Sequence, residues 1–582
     1  MAGSVAELKI LIDSVSNDTA TNIANLWDSW NRERASKVAA WDELRNYIFA
    51  TDTSSTTNRF LPWKNSTTTP KLCQIRDNLH ANYISALIPN QNWMKWEGAS
   101  FEDETRAKTE AITSYMRTKC TESDFRDVLS RLVYDFIDFG NAFAEVEYLR
   151  NVHVDKETGE SITIYEGPVA RRISPLDIVF NPVAASFDEA PKILRKVYTI
   201  GELVKLSTLP NGKKWRDAID KHNLLVKTLG TYSTEDVNKA TAFSVDGFGS
   251  YTEYLKSGYV EVLEFRGDYF DSEKQELYTN QQIIVIDRKI LVSSEPIDNW
   301  LGKTSIVHAG WRYRPDNLWA MGPLDNIVGM QYRIDHLENL KADAMDLAVH
   351  PPLKIKGDVD PFDWGPGSQV NIVGDGDVEE LGKNMNAVIS ADNAITLYEN
   401  KMEEYAGAPK QAMGIRTPGE KTMYEVQQLQ NAAGRIFQEK TTLFEINMVE
   451  KLLNLMLECA RRNISAMDVV RGFDDDTGVD MFLEITKEDI TARGKLRPVG
   501  ARHFGEQSQL LQNLSTTFSS PLGKVIMKHM SAKNLAYLVE DALQISKYKV
   551  VRPNVGLVEQ AESTQMAGNL EQGVMENQAV QF

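Results

Sequence analysis

The sequence predicts an α+β fold of more than one domain, and three observations carry that prediction. Apolar residues recur at helical spacing from Leu8 to about Phe139. They alternate with polar ones in several runs between Phe143 and Arg314. Helical spacing then returns from Pro323 onward, so strands and helices are segregated along the chain. At 582 residues the chain is too long for one hydrophobic core.

The elements follow in order. Leu8, Ile10, Leu11 and Val15 open a helix, and Ile23, Leu26, Trp27, Trp30 and Ala35 continue the spacing to about residue 50. TDTSSTTN (51–58) is a break. A helix over 71–88 carries Leu72, Ile75, Leu79, Tyr83 and Leu87 and ends at Pro89; two more cover about 102–120 and 124–139. FAEVEYLR (143–150), SITIYEGPVARRI (161–173) and DIVFNP (177–182) read as strands. After a mixed helical and polar region over 200–245, strands resume at 259–270, 281–294 and 305–314.

The segment 323–349 reads as one helix with proline near its start, stopped by Pro351 and Pro352. Short strands in PPLKIKG and SQVNIV follow, with turn-rich DPFDWGPG and GDGD around them. A second helix covers about 391–406, with Ser390 as its N-cap. The stretch GAPKQAMGIRTPGEK (407–421) is a glycine-rich, locally basic loop. Thr422 and Glu425 then form a capping box for a long helix reaching about Asn463, with Gly434 as a candidate kink. The part from 484 to about 550 reads as mostly helical after the strand MFLEI, and the end is a polar tail.

Composition narrows the function. The formal net charge is −18, whereas a protein that grips nucleic acid neutralises phosphates with a basic surface. No apolar run approaches the length of a membrane-crossing helix, and the first residues lack a secretory pattern. Cys73, Cys120 and Cys459 are far apart in helical sequence and read as buried, reduced thiols. The expected setting is the cytoplasm.

Several chemistries fail on spacing. GKTS (302–305) ends like a phosphate-binding loop, but Ile297 stands where the first glycine should be. FDDDTGVD (473–480) and GDVDPFD (357–363) do not keep calcium-loop spacing. The eight histidines form no zinc pattern, and no nucleophile signature appears. No catalytic residue, metal or cofactor is expected; carboxylate-only nuclease sites, whose ligands come from distant positions, stay open.

The two helices around 351–389 are the most informative segment. With Asp335 at zero on a helical wheel, Asp346 falls near about 20°, Asp343 near about 80° and Glu338 near about −60°. Met330, Ile334, Leu337, Ala344 and Ala348 gather opposite. On the second helix Ala391, Ala394, Ile395, Tyr398, Met402 and Tyr405 form the apolar face, and Glu399 and Glu403 stand four apart, which is mildly destabilising for like charges. The ordinary reading is an amphipathic helical hairpin with a solvated face; the sharper one is an acid-lined surface facing something negative.

Four phrases in order now carry a resemblance. They are LIPNQNWMKWEG (87–98), WAMGPLDNIVGMQYRIDHLENLKADAM (319–345) with its following Pro-Pro, GAPKQAMGIRTPGEKTMYEVQQLQNAAGRIFQE (407–439) and ITARGKLRPVGARHF (490–504). With the order of elements, they make the chain resemble the portal proteins of tailed bacteriophages, of the short-tailed type. The resemblance spans most of the chain. It departs at WAMGP, where many relatives have a Gly-Arg-Gly-like turn, and in a tail too short for the helical barrel some relatives carry.

The resemblance implies an α+β wing over 1–322, a stem helix over 323–350, a small strand-containing clip over 351–389 and a return stem helix over 390–406. It further implies a channel loop over 407–421, a long wing-helix region over 422–483, a helical crown over 484–555 and a mobile polar tail over 556–582. It implies a non-enzymatic ring, a dodecamer in the family, at one capsid vertex of the virion, assembled in the host cytoplasm. Its partners would be the terminase, major capsid and scaffolding proteins, tail adaptors and double-stranded DNA passing without sequence specificity, with no membrane. Lys410, Gln411, Arg416 and Lys421 would touch DNA from a loop hinged at Gly407, Gly414 and Gly419. Asp335, Glu338, Asp343, Asp346, Glu399 and Glu403 would form the acidic stem surface that keeps DNA from sticking. The alternatives are another head-to-tail ring adaptor or a packaging nuclease or ATPase.

Overall fold

The computed structural model describes residues 18–49, 68–88, 93–100, 102, 105–154, 161–208, 212–229, 259–271, 275–297, 305–349, 353–359, 372–380, 385–407, 435–464, 468–474 and 479–499. It is a mixed α+β structure. Two helices, α1 (Asp18–Glu33) and α2 (Ala35–Ile48), lead to α3 (Lys71–Leu87), the strand β1 (Met94–Gly98), α4 (Arg106–Glu122) and α5 (Phe125–Asp138). In α5 the helical spacing of Phe125, Leu129, Leu132, Val133 and Phe136 turns all five side chains inward.

Gly140 makes the turn from α5 into the first sheet. Its φ of +68° suits glycine, and an added Cβ would lie 2.3 Å from the Gly322 nitrogen. The strands β2 (Asn141–Val154) and β3 (Ser161–Ile173) pair antiparallel, and β9 (Ile306–Gly310) flanks β2 on the other edge. A second, five-stranded sheet runs in order through β4 (Ile178–Phe180), β5 (Lys192–Thr199), β6 (Tyr259–Asp271), β7 (Glu276–Ile286) and β8 (Ile290–Pro296). Between β5 and β6 stand α6 (Ile200–Ser207), opened by a capping box of Thr199 and Glu202, and α7 (Lys213–Leu229). The hairpin of β10 (Arg312–Arg314) and β11 (Asn317–Met321) completes this region.

A buried ionic cluster ties the two sheets together. Arg266 on β6 donates to Glu264 and, across to β2, to Glu145 at 3.0 Å; Lys196 on β5 reaches Glu145 at 2.7 Å and Glu264 at 3.2 Å. Burial alone would raise Glu264, but the two cations outweigh it and hold that carboxyl below the usual range. Nearby, His308 is fully enclosed, stacked on Phe143 at 4.6 Å and donating to Asn141; burial keeps it neutral, down to about 3.

From Val328 the chain forms α8 (Val328–Val349), the hairpin β12 (Leu353–Val359) and β13 (Ile372–Glu380), and α9 (Met385–Tyr405). Then come α10 (Arg435–Phe444), a π-helical turn at Glu445–Glu450 and α11 (Lys451–Asn463). The hairpin of β14 (Asp468–Asp474) and β15 (Val479–Ile485), the short α12 (Lys487–Ile490) and β16 (Gly494–Pro498) end the described chain. The largest core is built from α3, α4, α5, β2 and α11, and it includes Ile334, Ile395, Met402 and Ala406 from the α8–α9 unit.

Several sequence readings change. The helix expected over 323–349 starts at Val328, after Leu324 and Ile327 have already entered the core. The second helix starts at Met385, inside the segment assigned to the strand-containing unit. The long helix carries a π turn that periodicity does not show. The mostly helical region expected from 484 does not begin there: β16 pairs antiparallel with β1, joining residues 494–498 to 94–98 and placing them in the main core. The start of the long helix at Thr422 and Glu425, Gly434, the region from 500 on and the polar tail lie outside the described residues. So do parts of GKTS and of both acidic turns.

Candidate functional site

The candidate site is the α8–hairpin–α9 unit and the place where it joins the core. The two helices run antiparallel, as two contacts fix. Near the core, Gln331 of α8 and Glu403 of α9 both meet the start of α3; farther along, Lys341 of α8 bonds Asp392 of α9 at 2.9 Å. At about 1.5 Å per residue, a helix of 22 residues such as α8 is about 33 Å long.

The joint is polar and closed. The first amides of a helix have no partner within it, and α3 begins here. The fully buried Gln331 accepts from the Leu72 N–H at 3.1 Å, while its own amide donates to the Thr69 carbonyl at 2.6 Å and to Asp335 at 2.9 Å. The Thr69 N–H also donates to Asp335, at 2.9 Å. Lys71, itself buried, donates to Glu403 at 2.6 Å. Both carboxylates therefore stand at the positive end of α3. Burial pushes Asp335 up to about 6, against the opposing pull of its two hydrogen bonds.

Beyond the joint the character changes. Lys341 bridges Glu338 at 2.7 Å and Asp392 at 2.9 Å, and hydrogen bonding to Glu338 raises its pKa. Asp343 is half-buried and Asp346 is exposed, as is Asp392; Glu399 is half-buried. On the hairpin, Lys354 pairs with Glu379 at 3.1 Å in an exposed position. Large apolar groups are exposed here too: Leu340, Met345, Ile355, Ile389 and Leu397 range from 41% to 59%.

Of the six acids expected on one surface, two are elsewhere. Asp335 is 8% and Glu403 6% exposed, so neither belongs to a solvent-facing wall. The reason is that the start of α3 covers that face of α8 and brings Lys71 onto α9. Gly407 ends α9 in a left-handed turn, with φ of +73° and its N–H bonded to the Glu404 carbonyl at 3.1 Å. Lys410, Gln411, Gly414, Arg416, Gly419 and Lys421 lie outside the described residues. Sequence reasoning missed Gln331, Thr69 and Lys71. The spacing of Gln331 and Asp335, four apart on one helix, was the available signal.

Elsewhere, Cys120 and Cys459 are buried thiols and Cys73 is half-buried, none in a disulfide. Among the described residues no group of three or more His, Cys, Asp and Glu has metal-holding geometry, and no helix is long and apolar enough to cross a membrane. No family model matches the chain, and no curated protein does.

Proposed function

We propose that the chain is the subunit of a phage-type portal: a closed, non-enzymatic ring through which double-stranded DNA is packaged and ejected, and on which the packaging motor and then the tail adaptors dock. In this reading α8 and α9 are the stem, the β12–β13 hairpin is the clip, and the segment after Gly407 is the channel loop. The observation that carries it is the far half of the α8–α9 unit, where Leu340, Met345, Ile355, Ile389 and Leu397 are exposed beside the Lys341 bridge. A lone subunit leaves these groups in water, whereas a head-to-tail interface repeated around a closed ring covers them. The order of elements and the four sequence phrases agree with that architecture.

The channel wall in this proposal is drawn from Asp343, Asp346 and Glu399 with the paired Glu338, and not from Asp335 or Glu403. Twelve copies at −18 each carry a formal −216, so most of the wall repels DNA. Lys410, Arg416 and Lys421 supply the few weak phosphate contacts that centre the duplex. The decisive experiment is sedimentation of the purified chain with negative-stain imaging. A ring with a central hole is expected. Monomer or dimer at every salt and protein concentration overturns the reading. Deletion of 357–378 should leave the ring intact and abolish motor docking.

A further inference from the structure

Asp335 has a geometry that a ring subunit does not by itself require. The side chain is buried, and its two oxygens differ. Oδ1 accepts from the Thr69 N–H and the Gln331 amide. Oδ2 is enclosed without a hydrogen-bond partner. Among the described residues no cation pairs with Asp335, because the ammonium at this joint, Lys71, is committed to Glu403 at 2.6 Å. The other groups that face it have the wrong sign or none. Glu338 belongs to α8 and the Tyr47 phenol to α2. A buried carboxylate with a bare oxygen, and with only the partial charge at the start of α3 to offset it, is costly, whereas a neutral carboxyl keeps Oδ1 as acceptor for both donors.

We propose that Asp335 is a proton-operated latch: protonated, it holds α8 against the start of α3, and ionised, it loosens that joint so that the α8–α9 unit can shift against the core. Because burial lifts its pKa to about 6, the folded joint binds the proton more tightly than an open one does. The contribution is therefore complete below the ordinary carboxylate range and is lost as pH rises through about 6. The loosening has two local reporters. The Thr69 N–H bonds Asp335 directly, and the Leu72 N–H bonds Gln331, which Asp335 holds.

The test is hydrogen exchange of the full-length chain between pH 5 and 8, expressed as protection factors corrected for intrinsic rates. Amides of the paired β6 and β7 strands serve as the internal reference. Thr69 and Leu72 should lose about tenfold in protection over that range relative to the reference. Asp335→Asn, which keeps an oxygen for both donors and cannot ionise, should make the profile flat. A flat wild-type profile overturns the latch, as does a slope that Asp335→Asn leaves unchanged. Should Asp335→Asn not fold, the wild-type profile alone decides. The readout concerns the subunit, so its failure leaves the ring proposal standing, and failure of the ring leaves the latch standing.

Discussion

The two halves of the α8–α9 unit are built from the same kinds of residue and do opposite things. At the joint, Gln331 with Asp335 and Lys71 with Glu403 form two buried, bonded pairs, and they fix the unit to α3. In the far half, Lys341 bonds both Glu338 and Asp392 in reach of water, with apolar side chains exposed around them. An acid on a helix is thus not a surface signal in itself. What covers it decides whether it is part of the joint or part of a wall.

Four experiments would break or sharpen that contrast. The largest effect is expected at Lys71→Ala, which takes from the buried Glu403 its ion-pair partner at 2.6 Å. A loss of about 3 kcal/mol is expected in denaturant unfolding at neutral pH. A loss below about 1 kcal/mol would mean that the joint is wet and the contrast false. Gln331→Ala strands the Leu72 N–H and removes one donor from Asp335, while the Thr69 carbonyl keeps the Lys71 N–H, so about 2 kcal/mol is expected from the same measurement. Lys341→Ala removes only the outer bridge. About 0.5 kcal/mol is expected, shrinking further in high salt, and a salt-independent loss would place this bridge with the joint instead. Smallest for the subunit is the pair Leu340→Asp and Leu397→Asp, where unfolding should move by no more than about 0.5 kcal/mol. The sedimentation coefficient should nevertheless fall from ring to single subunit; an unchanged ring would show that this face is not the one neighbours share.

Much of the fold was legible because strand and helix periods are local. The alternation in SITIYEGPVARRI places a strand over 161–173, and β3 occupies those residues. The spacing of Leu72, Ile75, Leu79 and Tyr83 likewise matches the buried face of α3. The misses are non-local. β5 carries no strand signature in the sequence because KILRKVYT does not alternate: its first four residues are all buried, as befits a strand between two others. The strands at 94–98 and 494–498 are too short to show a period, and each is a strand because it pairs with the other. The candidate site failed in the same way. A helical wheel sorts Asp335 from Ile334, but it does not say that α3 covers both. Likewise, Glu399 and Glu403 read as a repelling pair because Lys71, far away in sequence, is invisible from that helix. Asp346 and Asp392 are both exposed, and Asp392 still meets a partner from the other helix, Lys341 at 2.9 Å.

The β1–β16 pair has a consequence in time. Its register runs from Met94 with Pro498 to Gly98 with Gly494, about 400 residues apart at the widest. Asn454 of α11 bonds both backbone groups of Leu496, so the pair is also fastened to the long helix. During synthesis the first strand therefore emerges long before its partner, by roughly 20–80 s at typical elongation rates. Through that interval β1 has an unsatisfied edge beside Trp96, a side chain that ends with no exposure. Nascent chains stopped short of residue 494 should consequently be the form that chaperones hold and proteases cut. A chain released after 498 can close the loop and escape both.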